Sequence, residues 1–379
     1  MDRPMLRTSL CDLLGIEYPI CLAGMGAVGR ATPPGLVAAV SNAGGLGVMG
    51  GSGLGPEDIR RRIRETKELT SKPFGVDLLL PASVAQVEET RTAVRQQLRR
   101  DYPRHVEFAS SLLAEFDLPD VYVEDEMVMS PRHIREQVQV VLDEKVPVFA
   151  AGLGDPSWVV PMAREQGVKV MGLVGNVRNA QRQLKANVDI IVAQGYEAGG
   201  HTGKIANFAL IPQVVDAVAP VPVVAAGAIA DGRGIAASLA LGAVGAWVGT
   251  AFLLADECQI PETHKDQIIS GSAQDFVITR AYTGKTARDY KNTVIEAWDN
   301  SGIEPLPMPL QRVLMEDFVH AAEKAGRFEL TNNPAGQIGG MLTERKPAAR
   351  IMQELVEGAV DALRTLQDLT PANGQEVNS

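Results

Sequence analysis

The 379-residue chain has three cysteines, Cys11, Cys21 and Cys258, and no two are close in sequence. A disulfide scaffold and a CxxC zinc site are thereby excluded, and a reducing interior is expected. Basic charge is also short. The 36 Lys and Arg are outnumbered by 46 Asp and Glu, for a formal net charge of −10. A general polyanion binder has the opposite balance, so nucleic acid is not an expected partner. Residues 1–10 carry Asp2, Arg3 and Arg7 and lack the apolar core of a signal peptide, so a cytoplasmic location is expected. No Ser/His/Asp order, HExxH or P-loop occurs, and no metal site is expected.

One long uncharged run is present. Residues 234–255 span 22 positions, enough to cross a bilayer. The run contains Gly242, Gly245 and Gly249 and is rich in Ala, so it is less apolar than a membrane span. It reads as a buried helix, a turn at Leu241-Gly242 and a buried strand from Ala246 to Val248, and no membrane association is expected. Glycine is the informative excess. Its 37 residues are about 10% of the chain against a usual ~7%. Backbone must turn sharply or approach a ligand closely somewhere.

Short apolar runs recur with helical patterns between them. The runs are Pro19 to Ala23, Leu46 to Met49, Phe74 to Leu80, Val146 to Ala151, Val168 to Val174, Asp189 to Ala193, Val221 to Ala226 and Ala246 to Val248. Continuous apolar runs suit parallel strands buried on both faces. Alternation with helices selects an α/β class, and eight units fit a (β/α)8 TIM barrel. The pattern alone leaves an open doubly wound sheet available. The expected division is a barrel over 11–256, a helical insertion after the third strand over 81–143 and a small second domain over 257–340. A C-terminal helix over 341–370 returns to the barrel, and 371–379 form a flexible tail. The acidic stretches at Asp117 to Asp120 and Glu124 to Glu126 read as a solvated face.

Gly24-Met25-Gly26-Ala27-Val28-Gly29 fits GxGxxG, but the next helix waits until Pro34 and Met49 and Gly50 stand where a ribose-binding acid would be. What survives is a glycine turn after the first strand, where a flat ligand could lie against bare backbone. Gly227-Ala228 follows the seventh strand and Gly249-Thr250 the eighth, the usual phosphate cradle of a barrel. The loop from Gln194 to Gly203 follows the sixth strand and contains His201. At the catalytic end of a strand this imidazole can take or give a proton near neutral pH. His105, His133, His264 and His320 have no motif around them. Glu197 reads as an ion-pair or helix-capping residue.

These residues resemble a known family. Gln194-Gly195-Tyr196-Glu197-Ala198-Gly199-Gly200-His201-Thr202-Gly203 is similar to the signature of class I nitronate monooxygenases, formerly 2-nitropropane dioxygenases. The blocks at Pro19 to Met25, Asn42 to Gly47, Ala226 to Ile229 and Gly249 to Phe252 resemble the family's others in order, with a further match at Ala335-Gly336-Gln337. Flavin-dependent enoyl-acyl-carrier-protein reductases and NADH:quinone reductases look much the same. The resemblance implies an FMN cofactor and oxidation of an alkyl nitronate, such as propionate 3-nitronate, by O2 to a carbonyl compound and nitrite. The alternative is an NAD(P)H-dependent reductase of quinones or enoyl thioesters. It further implies that Ala23, Gly24 and Met25 face the flavin ring, that Gln194, Gly199 and Gly200 line it, and that Gly227, Ala228, Gly249 and Thr250 hold its phosphate. Asp77 stands where the family often has Asn near the flavin. His201 becomes the active-site residue, as hydrogen-bond donor and general base. The implied partners are the small nitro compound and O2, with a homo-oligomer allowed.

Overall fold

The computed structural model describes residues 5–26, 29–81 and 90–369. Its main sheet contains β1 (Ile20–Leu22), β2 (Gly47–Gly50), β3 (Phe74–Leu79), β4 (Val148–Gly152), β5 (Lys169–Val174) and β6 (Ile190–Gln194). After β7 (Gly200–His201), which belongs elsewhere, come β8 (Val223–Ala226) and β9 (Gly245–Val248). The order is β1-β9-β8-β6-β5-β4-β3-β2, with every ladder parallel. Leu46 closes the ring. Its amide donates to the Ile20 carbonyl at 2.9 Å, and its carbonyl accepts from the Leu22 amide at 2.9 Å. The protein is therefore a (β/α)8 barrel, and the open sheet is ruled out.

Inward side chains fill the barrel. Cys21, Val48, Val148, Ala150, Met171, Ile190, Val192, Val224 and Trp247 form one buried cluster with Leu10, Cys11 and Leu14 of helix Ser9–Leu14. That helix plugs the N-terminal end, and contact is close enough that a Cβ on Gly245 would lie 2.4 Å from Leu10 Cδ2. Outward strand residues pack beneath the surrounding helices in a larger core. The uncharged 234–255 run divides into the end of helix Gly232–Ala240, a turn and β9. No helix among the described residues is long and apolar enough to cross a membrane. The last helix, Ala348–Asp368, packs between helices Pro34–Asn42 and Gly232–Ala240. A Cβ on Gly232 would meet the Ala359 amide at 2.0 Å, so these backbones nearly touch.

The long segment after β3 divides in two. Helix Pro131–Asp143 turns Ile134, Val138 and Val141 into the main core and serves as the crossover to β4. Helices Arg91–Asp101 and Pro103–Glu115 contribute no residue to that core. Their Val94, Leu98, Ala109 and Leu112 share a separate cluster with Tyr282, Trp298, Val313 and Phe318, from the residues after β9. Two segments remote in sequence thus form one cap. Ion pairs Arg95–Asp317 and Arg91–Glu316 tie them together. The cap's sheet runs β10 (Phe276–Thr279), β11 (Ala287–Tyr290), then β7, all antiparallel. The acidic residues Glu124 to Glu126 are exposed. Residues 82–89 of the expected insertion and the tail expected over 371–379 lie outside the described residues.

Candidate active site

A cavity of about 1190 Å3 opens at the C-terminal ends of the barrel strands, beneath the cap. All the residues singled out from the sequence line it: Ala23, Gly24 and Met25 after β1, Asp77 on β3, Gln194 ending β6, Gly199, Gly200 and His201, and the turns Gly227-Ala228 and Gly249-Thr250. Barrel strands all point one way, so residues far apart in sequence converge at one rim.

The glycines are there for close approach. A Cβ on Gly24 would lie 2.3 Å from Asp77 Cβ, so the turn after β1 lies directly against that carboxylate side chain. A Cβ on Gly199 would lie 2.5 Å from the Ala335 carbonyl carbon. Segment Ala335-Gly336-Gln337 is fastened there. The Gly336 amide donates to Thr250 Oγ1 at 2.9 Å, and the Gln337 amide to the Glu197 carbonyl at 3.0 Å. Gly227 and Ala228 both have positive φ, +97° and +56°, and Asn207 Nδ2 donates to the Gly227 carbonyl at 2.5 Å. The Glu197 carboxylate accepts from the Asn207 amide at the start of helix Asn207–Val218, a capping contact.

His201 departs from the expected loop setting. It lies on β7, opposite Ala287 of β11. Gln194 Nε2 donates to its carbonyl at 2.6 Å, and its Nε2 is 3.2 Å from Thr283 Oγ1. Burial, with the nearby charges of Arg312 and Lys285, pushes the imidazole down to about 4. It is neutral at pH 7 and a weak base. A neutral imidazole carries one N–H to donate.

Three histidines without a sequence motif, His133, His264 and His320, also line the cavity. His264 is buried, donates to the Pro334 carbonyl at 3.1 Å and is pushed down to about 4 by that burial. Two buried acids face the same space. Burial raises Asp77 to about 8 and Asp289 of β11 to about 7, and the Oδ1 of each has no hydrogen-bond partner. Asp289 is a residue that sequence reasoning missed. Lys285 and Arg312 are among the cations that line the cavity, the latter with Nε donating to Glu316 Oε1 at 3.0 Å.

Residues 7–358 match the family described as nitronate monooxygenase. The chain belongs to the nitronate monooxygenase family. It is an oxidoreductase, and this family's general reaction is flavin-dependent nitronate oxidation. Among nitronate monooxygenase relatives, a Staphylococcus aureus protein named "Probable nitronate monooxygenase" is 32% identical over 361 residues, covering 92% of this chain and 96% of its own. Rv1533 of Mycobacterium tuberculosis is 37% identical over 380 residues, covering 96% and 99%. The solved structure of a nitroalkane oxidase from Streptomyces ansochromogenes aligns with a TM-score of 0.80 at 31% identity, covering 95% of this chain and all of that one.

Proposed function

We propose that the cavity holds FMN and that the protein oxidises alkyl nitronates, propionate 3-nitronate or a similar nitro compound, with O2, to a carbonyl compound and nitrite. The observation that carries this reading is the convergence of the expected residues on one cavity roofed by the cap. The fit to a flavin rests on three features. The volume accommodates a cofactor and a small substrate together. Asp77 presses its Cβ against the Gly24 turn and keeps a buried, unpartnered Oδ1, which suits a hydrogen-bonding ring edge. The turns at Gly227-Ala228 and Gly249-Thr250 present backbone where a barrel usually takes phosphate.

Bound FMN supplies the electron chemistry with O2, and the chain supplies binding and charge. Ala23, Gly24 and Met25 give a bare backbone wall, and Gln194, Gly199 and Gly200 complete it. A nitronate arrives already anionic. Arg312 and Lys285 provide an attractive field on the His201 side. Neutral His201 donates a hydrogen bond to a nitronate oxygen, and Thr283 fixes its ring.

The test is His201→Asn in protein with FMN content confirmed by release on denaturation. Nitronate turnover falls about 100-fold if the imidazole acts in the step. Unchanged turnover removes His201 from it.

A further inference from the structure

The cap sheet brings a second ionisable group to the face that carries His201. In the β7–β11 ladder Ala287 lies opposite His201. Side chains alternate along a strand, and directly opposed residues share a face, so His201, Ala287 and Asp289 point the same way. All three line the cavity. Arg288, between the two, points away. Its guanidinium donates to the Phe276 and Tyr196 carbonyls and stacks on the Tyr196 ring. Asp289 is the diagonal neighbour of His201, and such pairs stand about 7–8 Å apart. One small substrate can touch both side chains.

Asp289 is 3% exposed, and its Oδ1 has no partner. The groups around it are committed elsewhere. The Tyr282 hydroxyl donates to the Leu330 carbonyl at 2.6 Å, and His264 donates to the Pro334 carbonyl. Across β10 the opposite residue is Val277, and on the other side Asp289 bridges to Pro334. Lys285 and Arg312 act on His201. Burial alone therefore sets the titration of this acid, near 7. A carboxyl of that kind, lining a cavity with one oxygen unpartnered, is suited to proton transfer at neutral pH. His201, held near 4, is not.

We propose that Asp289 is the general base that takes the α-proton of a neutral nitroalkane, so that the site forms nitronates as well as consuming them. This rests on the reading of the cavity as a nitronate site. In the step a carboxylate oxygen of Asp289 bonds the proton. The C–H electron pair becomes the C=N bond, and an N–O π pair moves onto a nitro oxygen. The products are a carboxylic acid and a nitronate anion; no oxidant or reductant is consumed. Solvent takes the proton back before the next turnover.

The experiment is exchange of the α-hydrogens of nitroethane in D2O, followed by NMR with the FMN-loaded protein under nitrogen. Wild type is expected to exchange above the buffer rate, rising through pH 7. Asp289→Asn is expected to lose that excess about 100-fold, and Asp289→Glu to recover part of it. In air, Asp289→Asn is expected to lower the ratio of nitroethane to propionate 3-nitronate kcat/KM by a similar factor. Exchange no faster than buffer in wild type, an unchanged ratio, or equal loss in the Asn and Glu variants overturns the proposal. Absence of nitrite from preformed nitronate overturns the oxidation reading instead, while the exchange measured without O2 still decides the role of Asp289.

Discussion

Gln194 Nε2 donates to the backbone carbonyl of His201 at 2.6 Å, so the end of a barrel strand holds the backbone of the cap residue that faces the cavity. β7 is two residues long and has little else to fix it on the barrel side. Thr202 Oγ1, donating to the Gly195 carbonyl at 2.8 Å, is the neighbouring stitch. Gln194→Ala removes one partly buried hydrogen bond, worth about 1 kcal/mol. The expected result is a small loss of stability and a drop of about tenfold in kcat/KM for nitronate at matched FMN content. Steady-state kinetics beside a urea melt check both.

Glycine substitutions separate packing from propensity. Gly199→Ala drives a methyl into the Ala335 carbonyl carbon, so the segment over Thr250 must move. A stability loss of about 1–3 kcal/mol is expected, with FMN retained poorly on gel filtration. Gly35→Ala is the opposite case. Gly35 lies inside helix Pro34–Asn42, and its added Cβ meets nothing within 4 Å. Stability is expected to rise by about 0.5–1 kcal/mol with activity unchanged.

The buried titratable groups predict a pH dependence with a definite sign. His201 and His264 are held near 4 against an ordinary 6.5, so the unfolded chain binds more protons in that window and stability rises with pH there. Asp289 and Asp77, raised from 3.8 to about 7 and about 8, act the other way: the folded state keeps protons that the unfolded chain has lost. The two pairs offset below 6.5. Between pH 6.5 and 8 the carboxyls act alone, and stability is expected to fall by on the order of 2 kcal/mol. Denaturant midpoints of FMN-free protein across that range measure it. Asp77→Asn should flatten the curve, and a slope left unchanged refutes the assignment.

Ion pairs join the two segments of the cap. Asp317 pairs with Arg95 and accepts from the Val123 amide at 2.9 Å, joining helix Leu310–Lys324 to the segment after β3. Asp317→Ala leaves a partly buried guanidinium unpaired and is expected to cost about 2 kcal/mol. The barrel itself is untouched. KM for nitronate should therefore rise while FMN content holds, which titration of released flavin against protein tests.

How much of this was legible in the sequence follows from local patterning. The eight barrel strands were readable because each is an apolar run buried on both faces, as in Val223–Ala226. The glycine turns were readable because their positions follow from the strand count. β11 was not. Its sequence is Ala287-Arg288-Asp289-Tyr290, polar because Arg288 stacks on Tyr196 and Asp289 faces the cavity. Nothing in that spacing marks a strand or a site. β7 consists of Gly200 and His201 and pairs only because β11 is there. The shared cap was hidden for a related reason: contacts such as those of Leu112 and Phe318 in one cluster join segments some 200 residues apart. His133, His264 and His320 reach the cavity by the same long-range folding.

The most direct test of the functional reading is nitrite release coupled to O2 uptake when the FMN-loaded protein is mixed with propionate 3-nitronate and no NADH. The account predicts nitrite formed together with O2 consumed, at a rate indifferent to added NADH. Full FMN occupancy with no nitrite, and flavin bleached rapidly by NADH under nitrogen, would contradict it.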